Sequence, residues 1–229
     1  MPVILNIETS TDVCSVAVTA EGMVMRHYEH DGGQNHAALL SGFIKNCLDF
    51  IAELEMRLDA VAVSIGPGSY TGLRIGLSEA KGLAYALDIP LIGIPTLQIM
   101  AVSVMFNRWV DEDVLFAPMI DARRMEVYTS VLDMGLTPML PDTPMILDSE
   151  SYAEYLAQKP VLFFGNGSDK FQGVVSHSNA RFIPGIRPLA VDMLALAERA
   201  YARRDFLDLA YSTPNYLKEF QATKPKRPF

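Results

Sequence analysis

A glycine-rich segment in the first third of the chain has the composition of an anion-binding loop. The segment Gly66-Pro67-Gly68-Ser69-Tyr70-Thr71-Gly72 follows an apolar run typical of a buried strand and precedes a helical stretch. Backbone N–H groups in such a loop can approach a phosphate, and the helix dipole favours the anion. The spacing matches neither the Walker A nor the Rossmann pattern, because Leu73-Arg74 follows Gly72 and the third glycine comes one residue late. A tight turn with Thr71 as the helix cap is the alternative.

A second polar segment, Glu8-Thr9-Ser10-Thr11, follows the first apolar run of the chain. Its hydroxyl groups could hydrogen-bond a phosphate, and the Glu8 carboxylate could hold a metal-bound water. A polar hairpin turn would have the same composition. The sequence therefore offers two candidate halves of a nucleotide site, each with an ordinary structural alternative.

Histidine and serine side chains do not form a recognisable catalytic or metal-binding pattern. The four histidines include no HxxxH, HExxH or His/Cys cluster, and His27 and His30 lie on a predicted strand and turn where they do not converge. Ser69 does not lie in a GxSxG elbow, and no His/Asp partner can be assigned to it. We therefore predict no catalytic residue and no metal site.

Composition narrows the class of protein. Of the 229 residues, 50% are hydrophobic and 20% are charged, which is enough to build a sizeable core. The net charge of −8 provides no general basic surface, so any nucleic-acid contact must be local or made through a partner. The two cysteines, Cys14 and Cys47, cannot form a disulfide framework, which favours a cytoplasmic protein. The most apolar stretch, residues 87–106, contains two prolines and an aspartate, so we expect no membrane span.

Apolar runs and turns predict the element order β-β-β-α-β-α-β-α up to residue 106. The polar stretch 107–113 is a candidate domain boundary. We therefore predict an N-terminal domain at 1–106, a C-terminal domain at 107–217 and a mobile basic tail at 218–229. In the second half we expect a proline-rich loop at 138–144 and an amphipathic helix at 189–202.

The helix after the glycine segment has an unusual surface. Ala80, Gly82, Ala84 and Ala86 alternate with leucines, so the helix is apolar or small nearly all round. In a soluble protein this indicates burial on more than one side. The helix's own sheet covers one face, and the other face is available to a partner.

The sequence resembles one known family over essentially its whole length. Ile7-Glu8-Thr9-Ser10-Thr11 and the segment GPGSYTGLRIG at 66–76 are similar to the TsaB family, also called YeaZ. The resemblance extends to further segments: Gly93–Leu97, Ile120–Arg123, Glu126–Tyr128 and Pro214–Lys218. The family usually has aspartate where Glu8 stands, and the longer side chain would misplace its carboxylate for phosphate chemistry.

The resemblance implies an α/β actin-like ATPase (ASKHA) fold with two RNase-H-like lobes of mixed sheets. It also implies a non-catalytic scaffold subunit of the complex that forms N6-threonylcarbamoyladenosine at position 37 of tRNA. In that complex the chain would bind and activate the catalytic paralogue TsaD, with TsaE and tRNA joining the assembly, and would form a homodimer when alone. TsaD carries an HxxxH metal site on the helix after the fifth strand, whereas the corresponding segment here, 96–101, has no histidine.

The resemblance also implies which residues would form a nucleotide site and a partner interface. No cofactor is required, and weak ATP or ADP binding would use a degenerate site of Glu8, Thr9, Ser10, Gly66, Gly68 and Thr71. The partner interface would use residues of the two N-terminal helices, namely His36, Leu39, Leu40, Phe43, Arg74, Leu77, Ala80, Lys81 and Ala84.

Two alternative functions follow from the same residues. A small ATPase or phosphotransferase would use the Glu8 turn and the glycine segment. The second alternative is a glycoprotease, a label attached to this superfamily, but this sequence contains no nucleophile pair and no zinc ligands for that activity. The basic residues Lys218, Lys224, Lys226 and Arg227 are either a solvated terminus or a local contact for RNA held by another subunit.

Overall fold

The computed structural model describes residues 1–32, 35–108, 110 and 113–218. Within these residues the chain forms two five-stranded mixed sheets flanked by helices. The first half contains the elements β1 (Ile4–Glu8), β2 (Val13–Ala20), β3 (Met23–Asp31), α1 (His36–Glu53), β4 (Ala60–Gly66), α2 (Tyr70–Leu87), β5 (Leu91–Pro95) and α3 (Thr96–Asn107). The predicted order of strands and helices up to residue 106 is therefore confirmed.

The strands β1, β2 and β4 of the first sheet are buried on both faces. The strand order of this sheet is β3-β2-β1-β4-β5, with β1 antiparallel to β2 and parallel to β4. Leu5 and Ile7 of β1 belong to the core that α1 and α2 share with the sheet, while Ile4 belongs to the core on the opposite face. Alternate residues thus point into different cores, which is why the central strands are apolar throughout rather than alternating.

The second sheet repeats the topology of the first. Its elements are β6 (Leu115–Asp121), β7 (Glu126–Leu132), β8 (Pro138–Ile146), α4 (Ala153–Leu156), β9 (Val161–Phe164), α5 (Ser168–Gln172) and β10 (Ala180–Ile183). The order β8-β7-β6-β9-β10 matches β3-β2-β1-β4-β5 strand for strand, including one parallel neighbour of the first strand. Two mixed sheets of this order confirm the predicted actin-like α/β fold with RNase-H-like lobes.

Two elements of the second half differ from their predictions. The segment 138–144, predicted as a loop, is part of β8. Proline lacks the N–H needed inside a ladder, but β8 lies at the edge of the sheet, where one side of the strand has no partner to satisfy. The helix predicted at 189–202 begins as a 3-10 turn, Ala190–Met193, and α6 spans Leu194–Arg203.

The C-terminal part of the chain returns to the first sheet. Ala197 of α6 is buried in the core beneath β1 and β5. Residues 205–218, which we call the strap, then run along the same lobe: Leu207 N donates to Leu91 O at 2.8 Å, and Asn215 N donates to Ile65 O at 2.7 Å. The strap ends where Lys218 Nζ meets Glu126 Oε1 of β7 at 2.5 Å. The remainder of the predicted basic tail lies outside the described residues.

Candidate functional site

The two polar segments singled out in the sequence lie against each other. β1 ends at Glu8 and β4 ends at Gly66, and because these strands are parallel neighbours their carboxyl ends share one edge of the sheet. Ser69 N donates a hydrogen bond to Ser10 O at 2.6 Å, and Thr9 Oγ1 donates to Gly72 O at 2.8 Å. The glycine loop is therefore closed onto the turn that follows β1.

The glycines of the loop permit this backbone contact. A Cβ on Gly68 would lie 2.2 Å from Ser10 O, and a Cβ on Gly72 would lie 2.1 Å from Thr9 O. Both distances are far below van der Waals contact, so no side chain fits at either position. The helix that follows is capped by Ser69, whose Oγ accepts from Gly72 N at 3.3 Å, and not by Thr71 as predicted. Thr71 is exposed instead.

Glu8 lies inside this contact and is fully buried, as are Thr9 and Ser10. Burial raises the pKa of Glu8 from 4.5 to about 7, and hydrogen bonds from Ser10 and Ser64 offset part of that effect. One of these bonds joins Ser10 N to Glu8 Oε1 at 2.5 Å. Because its side chain is fully buried, Glu8 is not available as an exposed anion for a hydrated cation.

The fold family implies a nucleotide with its metal ion at this edge, and the residues present do not fit one. The loop amide Ser69 N donates to Ser10 O, and Gly68 and Gly72 lie directly against the backbone of Ser10 and Thr9, where a phosphate would have to approach. The cavity between the lobes measures about 20 Å³, close to the volume of one water molecule, and Thr11, Asp12, Asn166 and Arg187 are among its lining residues. Arg187 further closes this region through an ion pair with Asp31 of β3.

No other cluster in the described part of the chain offers metal chemistry. Among those residues, no three His, Cys, Asp or Glu side chains come together in a way that could hold a metal ion. Nor does any helix there combine the length and the apolar character needed to cross a membrane.

A larger concave surface lies between α1 and α2 on the outside of the first lobe. Its volume is about 580 Å³. Ser41 of α1 donates to Glu79 Oε1 of α2 at 2.9 Å and fixes the spacing of the two helices on this face. We call this surface the helix groove; it is lined by Ala37, Ile44, Arg74, Ile75, Ser78, Glu79, Gly82 and Leu83.

The predicted partner-interface residues divide into two groups in the structure. Arg74 is exposed and lines the helix groove, Lys81 contacts the strap, and Leu39 and Phe43 are half-buried. The expectation is wrong for the remaining five, because they are buried in the protein's own lobe: His36, Leu40, Leu77, Ala80 and Ala84.

Helix periodicity explains the correction. Leu77, Ala80 and Ala84 lie on the side of α2 that packs on the sheet, and the His36 ring is within hydrogen-bonding distance of Val13 O, at 3.1 Å. Ser78, Glu79 and Gly82 line the groove but were not among the predicted interface residues, although Gly82 belongs to the small residues noted on this helix. Their polar or small character at helix positions away from the buried Leu73 and Leu77 is the signal that could have found them.

Comparison with known proteins identifies the family. The chain matches the family model "TsaD: tRNA N6-adenosine threonylcarbamoyltransferase" over residues 28–226. It is 34% identical to the tRNA threonylcarbamoyladenosine biosynthesis protein TsaB of Bacillus subtilis, over 71% of this chain and 70% of that protein. It is 30% identical to TsaB of Escherichia coli, over 96% of each. The chain belongs to the TsaB family.

Solved structures agree with this family assignment. YeaZ from Pseudomonas aeruginosa has a TM-score of 0.75 and 29% identity, over 95% of this chain and 100% of that one. A second Pseudomonas aeruginosa structure, described as similar to peptidase YEAZ, has a TM-score of 0.78 and 28% identity over the same shares. The predicted membership in the TsaB (YeaZ) family is therefore confirmed.

The closed loop makes a prediction about two glycines of one helix. Gly72→Ala places a methyl group against the Thr9 carbonyl and should lower the free energy of unfolding by about 2 kcal/mol or more. Gly82→Ala, where a Cβ meets nothing within 4 Å, should raise it by about 1 kcal/mol through helix propensity. Urea denaturation of both variants measures the difference. Equal stabilities would show that the loop does not close onto Thr9.

The buried carboxyl makes a prediction about pH. The neutral form of Glu8 is favoured by folding, so its contribution to stability is complete below pH 4.5 and is lost as the pH rises to about 7. Glu8→Gln cannot ionise and escapes this loss. The free energy of unfolding of the wild type, relative to the variant, should therefore fall by about 3 kcal/mol between pH 4.5 and pH 8, at about 1.4 kcal/mol per pKa unit.

Urea denaturation of both proteins over this pH range provides the measurement. Burial also raises the pKa of Asp142 and Asp192, but these groups are common to both proteins and cancel in the difference. A difference that does not change with pH would mean that Glu8 is not buried as a neutral carboxyl.

Proposed function

We propose that this chain is a non-catalytic partner subunit in the formation of N6-threonylcarbamoyladenosine at position 37 of tRNA, and that it binds and activates TsaD through the helix groove. Its curated relatives carry names that refer to this biosynthesis. The proposal is carried by a contrast between two surfaces. The sheet edge where a nucleotide is expected in this fold is filled by Thr9, Ser10 and the glycine loop. The groove between α1 and α2, in contrast, is open.

The chain supplies no reacting group in this proposal and needs no cofactor of its own. TsaD transfers the threonylcarbamoyl group from threonylcarbamoyl-adenylate to the N6 nitrogen of adenosine 37, and TsaE and tRNA join the assembly. The helix that carries the metal ligands in TsaD corresponds to α3, where Thr96, Leu97 and Met100 are buried core residues. No observation favours an autonomous ATPase, because Glu8 is fully buried and bonded to Ser10, while the glycine loop lies against the backbone of Thr9 and Ser10.

Exposed glycines on the two helices that form the groove support a docking role. Gly82 of α2 lines the groove and Gly42 lies on the exposed surface of α1, and a Cβ at either position would meet nothing within 4 Å. Glycine inside a helix costs about 1 kcal/mol relative to alanine. Nothing in the described chain requires glycine at these two positions, whereas a partner helix approaching closely would.

The lining of the groove is suited to a protein partner. Ile44, Ile75 and Leu83 provide an apolar floor, and Arg74 and Glu79 provide a charged rim. An apolar centre with a polar rim is typical of protein–protein interfaces.

We propose TsaD as the occupant because this chain itself matches the TsaD family model across both helices of the groove. A two-fold dimer uses the same surface patch on both subunits, so in this proposal a related chain of the same fold takes the place of one copy. A second copy of this chain would occupy the same surface when TsaD is absent. Self-association and TsaD binding should therefore exclude each other.

The role as a partner subunit is tested with purified components. TsaD, TsaE and the enzyme that forms threonylcarbamoyl-adenylate should modify tRNA only when this chain is added, and the modified nucleoside is measured by mass spectrometry after digestion. Full turnover in the absence of this chain would overturn the proposal.

The docking surface is tested by filling the groove. Gly82→Leu points into open space, so the variant should fold normally but bind TsaD at least tenfold more weakly, because its side chain occupies the path of the partner helix. The matched control is Ala195→Leu, an exposed small residue on α6. Calorimetric titration gives the dissociation constants. Unchanged affinity for Gly82→Leu would place the interface elsewhere.

A further inference from the structure

The strap runs alongside α2. Lys81 Nζ donates to Ser212 O at 2.6 Å and lies 3.5 Å from Ala210 O. At the start of the helix, the ring of Tyr70 lies 4.8 Å from that of Tyr216. Tyr70 and Lys81 are eleven residues apart in α2, a distance of about 16 Å along the helix axis. The strap therefore follows most of the length of α2.

The strap and α1 lie on opposite sides of α2. Ile75, Glu79 and Leu83 are spaced by four residues and line the helix groove on the α1 side. Tyr70 and Lys81 are three helical turns apart and share the strap side.

An exposed ridge of α2 runs between these two neighbours. Arg74, Ser78 and Tyr85 lie on it, and all three are exposed. At 100° per residue, Arg74 and Tyr85 differ by only about 20° around the helix axis. A partner seated on this ridge must meet α1 on one side and the strap on the other.

Two tyrosines stand at the strap side of the ridge. Tyr211 is 85% exposed and Tyr85 is 80% exposed, the highest values for any large hydrophobic side chain among the described residues. Tyr85 is one turn beyond Lys81, and Tyr211 lies between the two strap residues whose carbonyls face Lys81. Tyrosine combines a large apolar surface with a polar tip and is frequent among residues that dominate binding energy.

A preorganised cluster stands at the other end of the ridge. Arg74 Nη1 donates to Tyr70 Oη at 2.9 Å, and its guanidinium carbon lies 5.3 Å from the centre of the Tyr70 ring. Tyr216 packs against the same ring, with the two ring planes tilted by 32°. Side chains that are already held in place lose little conformational entropy on binding, so this cluster suits a contact surface.

We propose that the strap is the second wall of the surface that receives TsaD, with Tyr85 and Tyr211 as anchor residues. This inference rests on the proposed function and extends its interface from two helices to three elements. The occupant is the same TsaD partner, because the ridge is continuous with the helix groove through Arg74 and Ser78, which belong to both.

The test uses Tyr85→Ala, Tyr211→Ala and the double variant in the full chain. Each single change should weaken TsaD binding by about tenfold or more, as expected for aromatic anchors, and the double change should weaken it further than either single change. Because both side chains are exposed, thermal denaturation should match the wild type. Phe106→Ala is the matched control: this residue is 73% exposed at the end of α3, and its removal should leave TsaD binding unchanged.

The outcomes separate the two proposals. If the wild type binds TsaD and the tyrosine variants bind equally well, the strap is not part of the interface, while the proposed function stands. If the wild type does not bind TsaD, the proposed function fails and the present inference fails with it. Loss of self-association with unchanged TsaD binding would also overturn the inference, because the anchors would then serve a second copy of this chain.

Discussion

The structure depends on the direct backbone contact between the turn after β1 and the loop after β4. Ser69 N binds Ser10 O at 2.6 Å, and Gly68 and Gly72 leave no room for side chains between the two segments. This contact lies beside the fully buried Glu8 and places Ser69, which caps the start of α2. The same residues that could have bound a phosphate therefore position the helix that forms the outer surface of the lobe.

The second lobe repeats this arrangement with different residues. Gly165 comes directly after β9, as Gly66 comes at the end of β4, and a Cβ on Gly165 would lie 2.3 Å from Met119 O of β6. Asn166 Oδ1 accepts from Asp121 N at 2.9 Å, tying the loop to the end of β6. In both lobes the edge that faces the cleft is thus filled by the chain itself. Because the sheet edge that faces the cleft is closed in both lobes, recognition of a partner is left to the outer surfaces.

The outer surface is assembled from distant parts of the chain. α1, α2 and the strap meet on one side of the first lobe, although the strap follows α6 more than a hundred residues after α2. Lys81 holds the strap through the carbonyls of Ser212 and Ala210, and Asn215 joins it to the end of β4. The shape of the surface that we assign to partner binding is therefore a product of long-range contacts, which set both the spacing and the exposure of its side chains.

The sequence by itself determined the family, the two-lobed fold and the order of elements in the first half. Apolar runs and glycine turns are local signals, and the glycine segment is distinctive. Which face of each helix met the core was decided only by tertiary structure. Leu40, Ala80 and Ala84 were expected at an interface but are buried, whereas Gly82 is exposed. Because the side chains of α2 are small or apolar nearly all round, its sequence says little about which face is buried. That face is decided by where the sheet and the strap lie.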